Sequence, residues 1–369
     1  LQSRRTAAVQ ERKIMKAYVL YGIGDFRYEE TDKPVPGADE VLVRVKNVGI
    51  CGSDVPRVYK TGMYSYPLSP GHEFAGVVEE AGAEQAAGDL QKQDWTGKRV
   101  GVFPLIPCGS CPMCREKKYE LCRKYNYLGS RTNGGFAEYV KVPVANLIEL
   151  PENVSFEVAA MLEPMAVAVH AMRQSMPQKT DTIVVHGLGT IGYFLTMFLK
   201  SEGISDILVI GNKEFQRQQA LALGIRTNDY CDARQQDVGA WIREKTNGLG
   251  ADVYFECVGK NETIDQAILS TRPAGRVQLI GNPASDMQFD KNTYWKILRN
   301  QLTVRGSWNS SFLQEEGDDW HYVLQKVAGG LVFPEHIITH RFQLEDLEQG
   351  LSIMRDKTEE YGKIMIKMR

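Results

Sequence analysis

The chain has 369 residues, is 43% hydrophobic and carries a formal net charge of -2. That length accommodates two domains with real cores, and the lack of a basic excess argues against a nucleic-acid or anionic-membrane surface as its main business. No apolar run crosses a bilayer's thickness without a break by glycine, proline or charge, so a cytoplasmic protein with neither membrane nor nucleic-acid partner is expected.

Residues 1–14 are polar and basic and read as a tail or tag remnant ahead of Met15, where Met15-Lys-Ala-Tyr-Val-Leu begins an apolar strand pattern. From there to about Leu150 short β-rich runs alternate with turn residues, as in Val41-Leu-Val-Arg-Val-Lys-Asn-Val and Phe74-Ala-Gly-Val-Val-Glu-Glu-Ala. Two short motifs interrupt these runs, Cys51-Gly-Ser53-Asp54 and Gly71-His72-Glu73. Thiolate, imidazole and carboxylate are all good zinc donors, and a set of Cys51, His72 and a carboxylate with one position left open suits a reactive zinc.

Cys108, Cys111, Cys114 and Cys122 follow, spaced as Cys-x2-Cys-x2-Cys-x7-Cys among glycine and proline. Two-residue gaps let a tight turn aim successive sulfurs at one point, and four cysteines complete a tetrahedral zinc with no place for substrate. A zinc knuckle that braces structure is therefore expected. The competing disulfide scaffold is disfavoured by seven cysteines in so long a chain and by the lack of a signal-peptide pattern.

Leu162-Glu163-Pro164 lies where the texture changes to strands, glycine turns and amphipathic helices in alternation, the mark of parallel βαβ units. Strands are expected at Thr182-Ile-Val-Val, Ile207-Leu-Val-Ile, Val253-Tyr-Phe-Glu-Cys and Val277-Gln-Leu-Ile, with less regular structure from about residue 300 and a last strand at Lys363-Ile-Met-Ile-Lys-Met. The run Gly187-Leu188-Gly189-Thr190-Ile191-Gly192 follows the first of these strands and opens a helix, which is the context a dinucleotide fingerprint needs. Gly187 permits the tight turn, Gly189 lets a pyrophosphate approach, and Gly192 allows close helix packing, with the helix N-terminus favouring the anion. The carboxylate expected at the end of the second strand, which would bond an adenosine ribose, is replaced by Gly211-Asn212-Lys213. Without it a 2′-phosphate is not repelled and Lys213 or Arg217 can attract one, so NADP is expected over NAD, for which Asn212 would bond the ribose.

Together these motifs, with Gly134-Gly-Phe-Ala-Glu-Tyr139, resemble the medium-chain zinc-dependent alcohol and polyol dehydrogenases, in order from Met15 to the end. The resemblance implies an α/β protein: a GroES-like β-rich catalytic domain at residues 15–165, completed by 300–369, around a Rossmann doubly wound parallel-sheet domain at 166–299. It implies a reactive zinc held or flanked by Cys51, His72 and Glu163, with Glu73 as the alternative carboxylate, and hence two zinc ions per chain. Polyol dehydrogenases use glutamate where alcohol dehydrogenases use a second cysteine, so Glu163 points to polyols. Ser53 is the implied proton relay, and Pro56 stands where a histidine often continues that relay.

Within the family the stretches Arg57-Val-Tyr-Lys60, Gly129-Ser-Arg131 and Leu302-Thr-Val-Arg-Gly-Ser-Trp308 are similar to enzymes that oxidise sugar-alcohol phosphates such as galactitol 1-phosphate with NAD. Arg57, Lys60 and Arg131 are then candidate donors to a substrate phosphate. Gly211 departs from the family's ribose-binding aspartate. A homodimer or homotetramer is expected. Sorbitol-, iditol- or threonine-type dehydrogenases are the enzyme alternatives, and a zinc-ribbon interaction module joined to a nucleotide sensor is the non-enzyme one.

Overall fold

The computed structural model describes residues 13–82, 94–283 and 285–369; residues 1–12 of the expected tail lie outside them. Strand β1 (Ile14–Gly22) pairs antiparallel with β2 (Asp25–Asp32), and β3 (Glu40–Gly49) then enters a seven-stranded sheet with β4 (Glu73–Ala81), β5 (Arg99–Val102), β8 (Tyr139–Pro143) and β9 (Leu147–Glu149). A small ladder of β6 (Leu105–Ile106) and β7 (Asn126–Tyr127) flanks the cysteine knuckle. In β3 the apolar residues Val41, Leu42, Val43, Val45 and Val48 are buried while Arg44 faces out, so this central strand is covered on both sides for part of its length.

The later part forms a six-stranded parallel sheet from β10 (Ile183–His186), β11 (Ile207–Gly211), β12 (Tyr230–Asp232), β13 (Ala251–Glu256), β14 (Thr271–Leu279) and β15 (Thr303–Gly306). Its spatial order, β12-β11-β10-β13-β14-β15, is the doubly wound arrangement in which the chain reverses direction between β10 and β13. That reversal leaves a crevice beyond the carboxyl ends of those strands, at His186 and Glu256. All four residues of β10 are buried, as a strand covered by helices on both faces must be.

The helix Leu162–Ser175 joins the two parts. Pro164 sits in its first turn, where the missing N–H has no helical acceptor to lose. Met165 and Val169 on this helix share one continuous core with Ile148 from the first sheet and Val185 and Phe194 from the second region. An expected boundary at residue 165 therefore falls inside a helix, and one at 299 falls before β15, which belongs to the parallel sheet.

Beyond residue 300 the structure is more regular than its sequence pattern indicates. After β15 come the helices Asp319–Ala328 and Leu347–Asp356 and the parallel strands β16 (Ile338–Gln343) and β17 (Lys363–Lys367). All four residues of β15 are exposed, and an edge strand with no buried face gives no periodic signal. Strand β17 returns across the molecule to pair antiparallel with β3, setting Met365 opposite Gly49. Among the described residues no helix is long and apolar enough to cross a membrane.

Candidate functional site

The antiparallel β3–β4 ladder assembles the first cluster. Gly49 ends β3 opposite Glu73, which begins β4, so Cys51, just past one strand, meets His72, just before the other. One donor atom each from Cys51, His72 and Glu73 lies within 4.8 Å of the others. Asp54 is fully buried beneath them; its Oδ2 accepts from the Cys51 N–H at 2.9 Å and its Oδ1 lies 3.5 Å from His72 Nδ1. Neither Oδ1 nor Nδ1 has another partner, so Asp54 fixes the imidazole and leaves Nε2 as the nitrogen free for a metal. Burial by itself depresses the His72 pKa, but the Asp54 carboxylate and Cys51 outweigh it and hold the imidazole well above its ordinary value. Thiol, oriented imidazole and carboxylate form a donor set that fits zinc.

Glu163 is not part of that mutual set. From the first turn of Leu162–Ser175 its Oε1 accepts a hydrogen bond from Tyr127 Oη at 3.1 Å, and the Tyr127 ring stands 5.9 Å from that of His72. Burial raises the Glu163 carboxyl, with His72 pulling the other way, and burial followed by Glu163 raises the Tyr127 hydroxyl well above its usual value. Glu73 is ion-paired with the buried Lys363.

Ser53 Oγ donates to Cys51 Sγ at 3.3 Å and accepts from Arg57 Nη1 at 3.1 Å, so Ser53 and Arg57 both belong to this site. The Arg131 guanidinium is clamped between Tyr64 at 4.0 Å and Tyr125 at 4.6 Å, and its Nε is buried without a partner. Tyr125 packs edge-on against Tyr127 at 6.2 Å, which links Arg131 to the ring beside His72. Lys60 is exposed, on the turn that follows Arg57.

The second cluster is local. The sulfurs of Cys108, Cys111, Cys114 and Cys122 all lie within 4.8 Å of one another, with Cys111–Cys114 at 3.6 Å and Cys108–Cys114 at 3.9 Å. Those separations are far beyond a disulfide's roughly 2.05 Å and match sulfurs grouped around a shared ion. Backbone and side-chain hydrogen bonds from Ser110 lower Cys108 to about 6, whereas burial raises Cys114 to about 12.

The glycine run behaves as its spacing requires. Gly187 has φ 98 and turns the chain out of β10. A side chain at Gly192 would strike the Gly187 carbonyl, while one at Gly189 would meet nothing within 4 Å. The loop is thus packed on its protein side and open at the N-terminus of the helix Thr190–Ser201, an arrangement with room for an anion at the helix start. Thr190 and Ile191 start that helix, and Leu188 is buried. At Gly211 a Cβ would fall against the Tyr230 hydroxyl and 2.8 Å from Gln216 Oε1. Gln216 ties the Asn212 N–H, at 2.9 Å, to the Leu188 carbonyl, at 3.1 Å. Lys213 Nζ lies over the Tyr361 ring at 5.7 Å, and Arg217 pairs with Glu214 at 3.1 Å.

The alcohol dehydrogenase GroES-like domain matches residues 37–152, and the zinc-binding dehydrogenase domain matches residues 190–329. The chain belongs to the medium-chain zinc-dependent dehydrogenases. It is 31% identical over 340 residues to galactitol 1-phosphate 5-dehydrogenase of Escherichia coli strain K12, covering 91% of this chain and 95% of that protein. Sorbitol dehydrogenase of Bacillus subtilis strain 168 is 28% identical over 358 residues, covering 95% and 97%. Among solved structures, an alcohol dehydrogenase of Escherichia coli CFT073 complexed with NADH superposes with TM-score 0.86 at 26% identity, covering 96% of this chain and 99% of that one. A zinc-binding dehydrogenase of Sinorhizobium meliloti 1021 bound to NADP does so with TM-score 0.85 at 26% identity, covering 96% and 100%. This dehydrogenase is accordingly an oxidoreductase of CH–OH groups that uses zinc and a nicotinamide dinucleotide.

Three site residues gave little warning in the sequence. Asp54 belongs to Cys-Gly-Ser-Asp, but its carboxylate faces the Cys51 N–H and His72 Nδ1, which the motif alone does not indicate. Tyr127 and Lys363 carry no local motif, because their partners lie 36 and 290 residues away.

Proposed function

We propose that this dehydrogenase oxidises a polyol carrying a phosphate, with a reactive zinc held by Cys51, His72 and a carboxylate, a second zinc in the Cys108–Cys122 knuckle, and NADP as the coenzyme. The observation that carries the reading is the convergence of Cys51, His72 and Glu73 donor atoms within 4.8 Å above the buried Asp54. Zinc supplies Lewis acidity toward an alcohol there, and the nicotinamide supplies a hydride acceptor.

The chain's own residues do the rest. Cys51 and His72 bind the metal, and Asp54 holds the imidazole in one orientation. Tyr127 fixes the Glu163 carboxylate from the other wall. Ser53 is assigned the relay, taking the substrate's hydroxyl proton as it gives up its own, and the Arg57 guanidinium donating to Ser53 Oγ holds that hydroxyl in place. With Pro56 in place of a relay histidine, the proton leaves through solvent or a ribose hydroxyl.

Arg131 supports an anionic substrate, since Tyr64 and Tyr125 stack on its guanidinium and hold it in place. NADP is supported by the absence of a carboxylate at Gly211, the Tyr230 and Gln216 atoms that fill its place, and the nearby Lys213. The exposed edge strand β15, with Trp308 and Leu298 also exposed, supports a homo-oligomer.

A panel of polyols and their phosphates, run with NAD and NADP, tests the proposal. Phosphorylated substrates and NADP are expected to give the higher kcat/KM. R131A is expected to raise KM for the phosphorylated polyol about 10-fold and for its unphosphorylated counterpart less than about 2-fold. Preference for an unphosphorylated polyol would place the enzyme with the sorbitol-type alternative.

A further inference from the structure

Strand β15 ends at Gly306, and the Ser307 N–H extends its ladder by donating to the Leu279 carbonyl of β14 at 2.9 Å. The chain therefore leaves the sheet at its carboxyl edge, on the β13–β15 side of the point where strand order reverses. In a doubly wound sheet that half faces the nicotinamide end of a dinucleotide, since the pyrophosphate and adenosine ribose belong to the glycine run and the end of the second strand.

Past Ser307 the chain turns inward, and three consecutive residues hold it. Asp318 Oδ2 accepts the Leu313 N–H at 2.8 Å, Asp319 Oδ2 accepts the N–H and the hydroxyl of Ser311, each at 2.8 Å, and Trp320 Nε1 donates to Ser310 Oγ at 3.0 Å. Asp319 is 2% exposed, a place where a carboxylate is retained only when paired and hydrogen-bonded. Its other partners come from the joining helix: His170 Nδ1 donates to Oδ2 at 2.7 Å, and Arg173 Nη1 donates to Oδ1 at 3.1 Å. Burial by itself raises the Asp319 carboxyl, but His170 and Ser311 outweigh it and hold it below its ordinary value. With Nδ1 donating to a carboxylate, His170 Nε2 accepts from Gln174 Nε2 at 2.5 Å, so the ring is fixed at both nitrogens.

Helical period connects this anchor to the metal cluster. Glu163 and His170 stand at i and i+7 on Leu162–Ser175, on one face and about 10.5 Å apart along the axis. Fixing His170 fixes the roll of the helix and with it the direction of Glu163, whose Oε1 meets Tyr127 beside His72. One carboxylate thus holds the coenzyme-side segment through Ser311 and the metal-side helix through His170. We propose that Asp319 is a positioning residue for hydride transfer, setting the nicotinamide side of the crevice at a fixed distance from the metal cluster. The inference rests on the placement of the reactive metal at Cys51 and His72 given above.

The test compares D319N and S311A with the wild-type full-length protein. Asparagine leaves one acceptor oxygen where the carboxylate serves four donors. In the coenzyme-free protein, D319N should speed amide hydrogen exchange across residues 307–313 about 10-fold. With the best substrate of the polyol panel, protiated and deuterated at the reacting carbon, kcat per folded molecule should fall about 10- to 100-fold in D319N and about 3-fold in S311A, with an isotope effect no smaller than the wild type's and a coenzyme dissociation constant within about 3-fold. Zinc content should match the wild type in both variants. If D319N does not fold, the kcat and isotope effect of S311A, which loses only one hydroxyl at Asp319, decide the matter. Wild-type turnover per folded molecule, unchanged exchange in a folded D319N, or slower turnover with a smaller isotope effect would overturn the proposal in favour of a purely structural carboxylate. A wild-type chain that takes up no metal at Cys51 would overturn the zinc reading, and this inference with it.

Discussion

The two cysteine-bearing clusters are assembled in opposite ways. The knuckle draws four like donors from residues 108–122, where tight turns and local backbone hydrogen bonds gather the sulfurs. The Cys51 cluster draws unlike donors from the ends of paired strands and is surrounded by charges: Asp54 below from the same motif as Cys51 and, from distant elements, Lys363 of the last strand and Glu163 of the joining helix. A site of the first kind is closed and uniform, which suits bracing. One of the second kind keeps its charges separately adjustable, which suits chemistry.

If that contrast is right, damage to the two clusters separates stability from turnover. In the knuckle, C111A should release its metal, cost several kcal/mol and lower Tm by on the order of 10 °C, while turnover per folded molecule stays within about 2-fold. A melting curve beside an active-site titration reads both quantities; an unchanged Tm would break the contrast from that side. On the opposite wall of the reactive cluster, E163Q should lower metal affinity and kcat/KM about 10- to 100-fold with little change in Tm. Y127F should have the smallest effect, since one hydrogen bond to a buried carboxylate at 3.1 Å is lost, worth about 1 to 1.5 kcal/mol and so roughly a 5- to 10-fold fall in kcat/KM. Equal losses in the two variants would mean that Glu163 acts only through Tyr127.

The same contrast explains what could be read from the sequence. The knuckle was legible because its geometry is encoded in spacing. The glycine run was legible for the same reason, down to the open side at Gly189. Cys51 and His72 stood out as metal-binding types near strand ends, but that β3 and β4 bring them together is a matter of sheet register. Lys363 looked like the polar first residue of an apolar strand, and only the return of β17 onto β3 turns it into a partner for Glu73. Gly211 was legible as a missing carboxylate, whereas Tyr230 and Gln216 filling its place depended on the adjacent strand and helix.

The most direct test of the reactive cluster is H72A in the purified full-length protein, assayed for zinc per chain, Tm and turnover together. The expected result is a fall from about two zinc ions per chain to about one, a fold that melts within a few degrees of the wild type, and at least a ~1000-fold loss of kcat as several kcal/mol of Lewis-acid stabilisation disappear. An H72A protein that keeps both zinc ions and its turnover would contradict the assignment of the chemistry to Cys51 and His72.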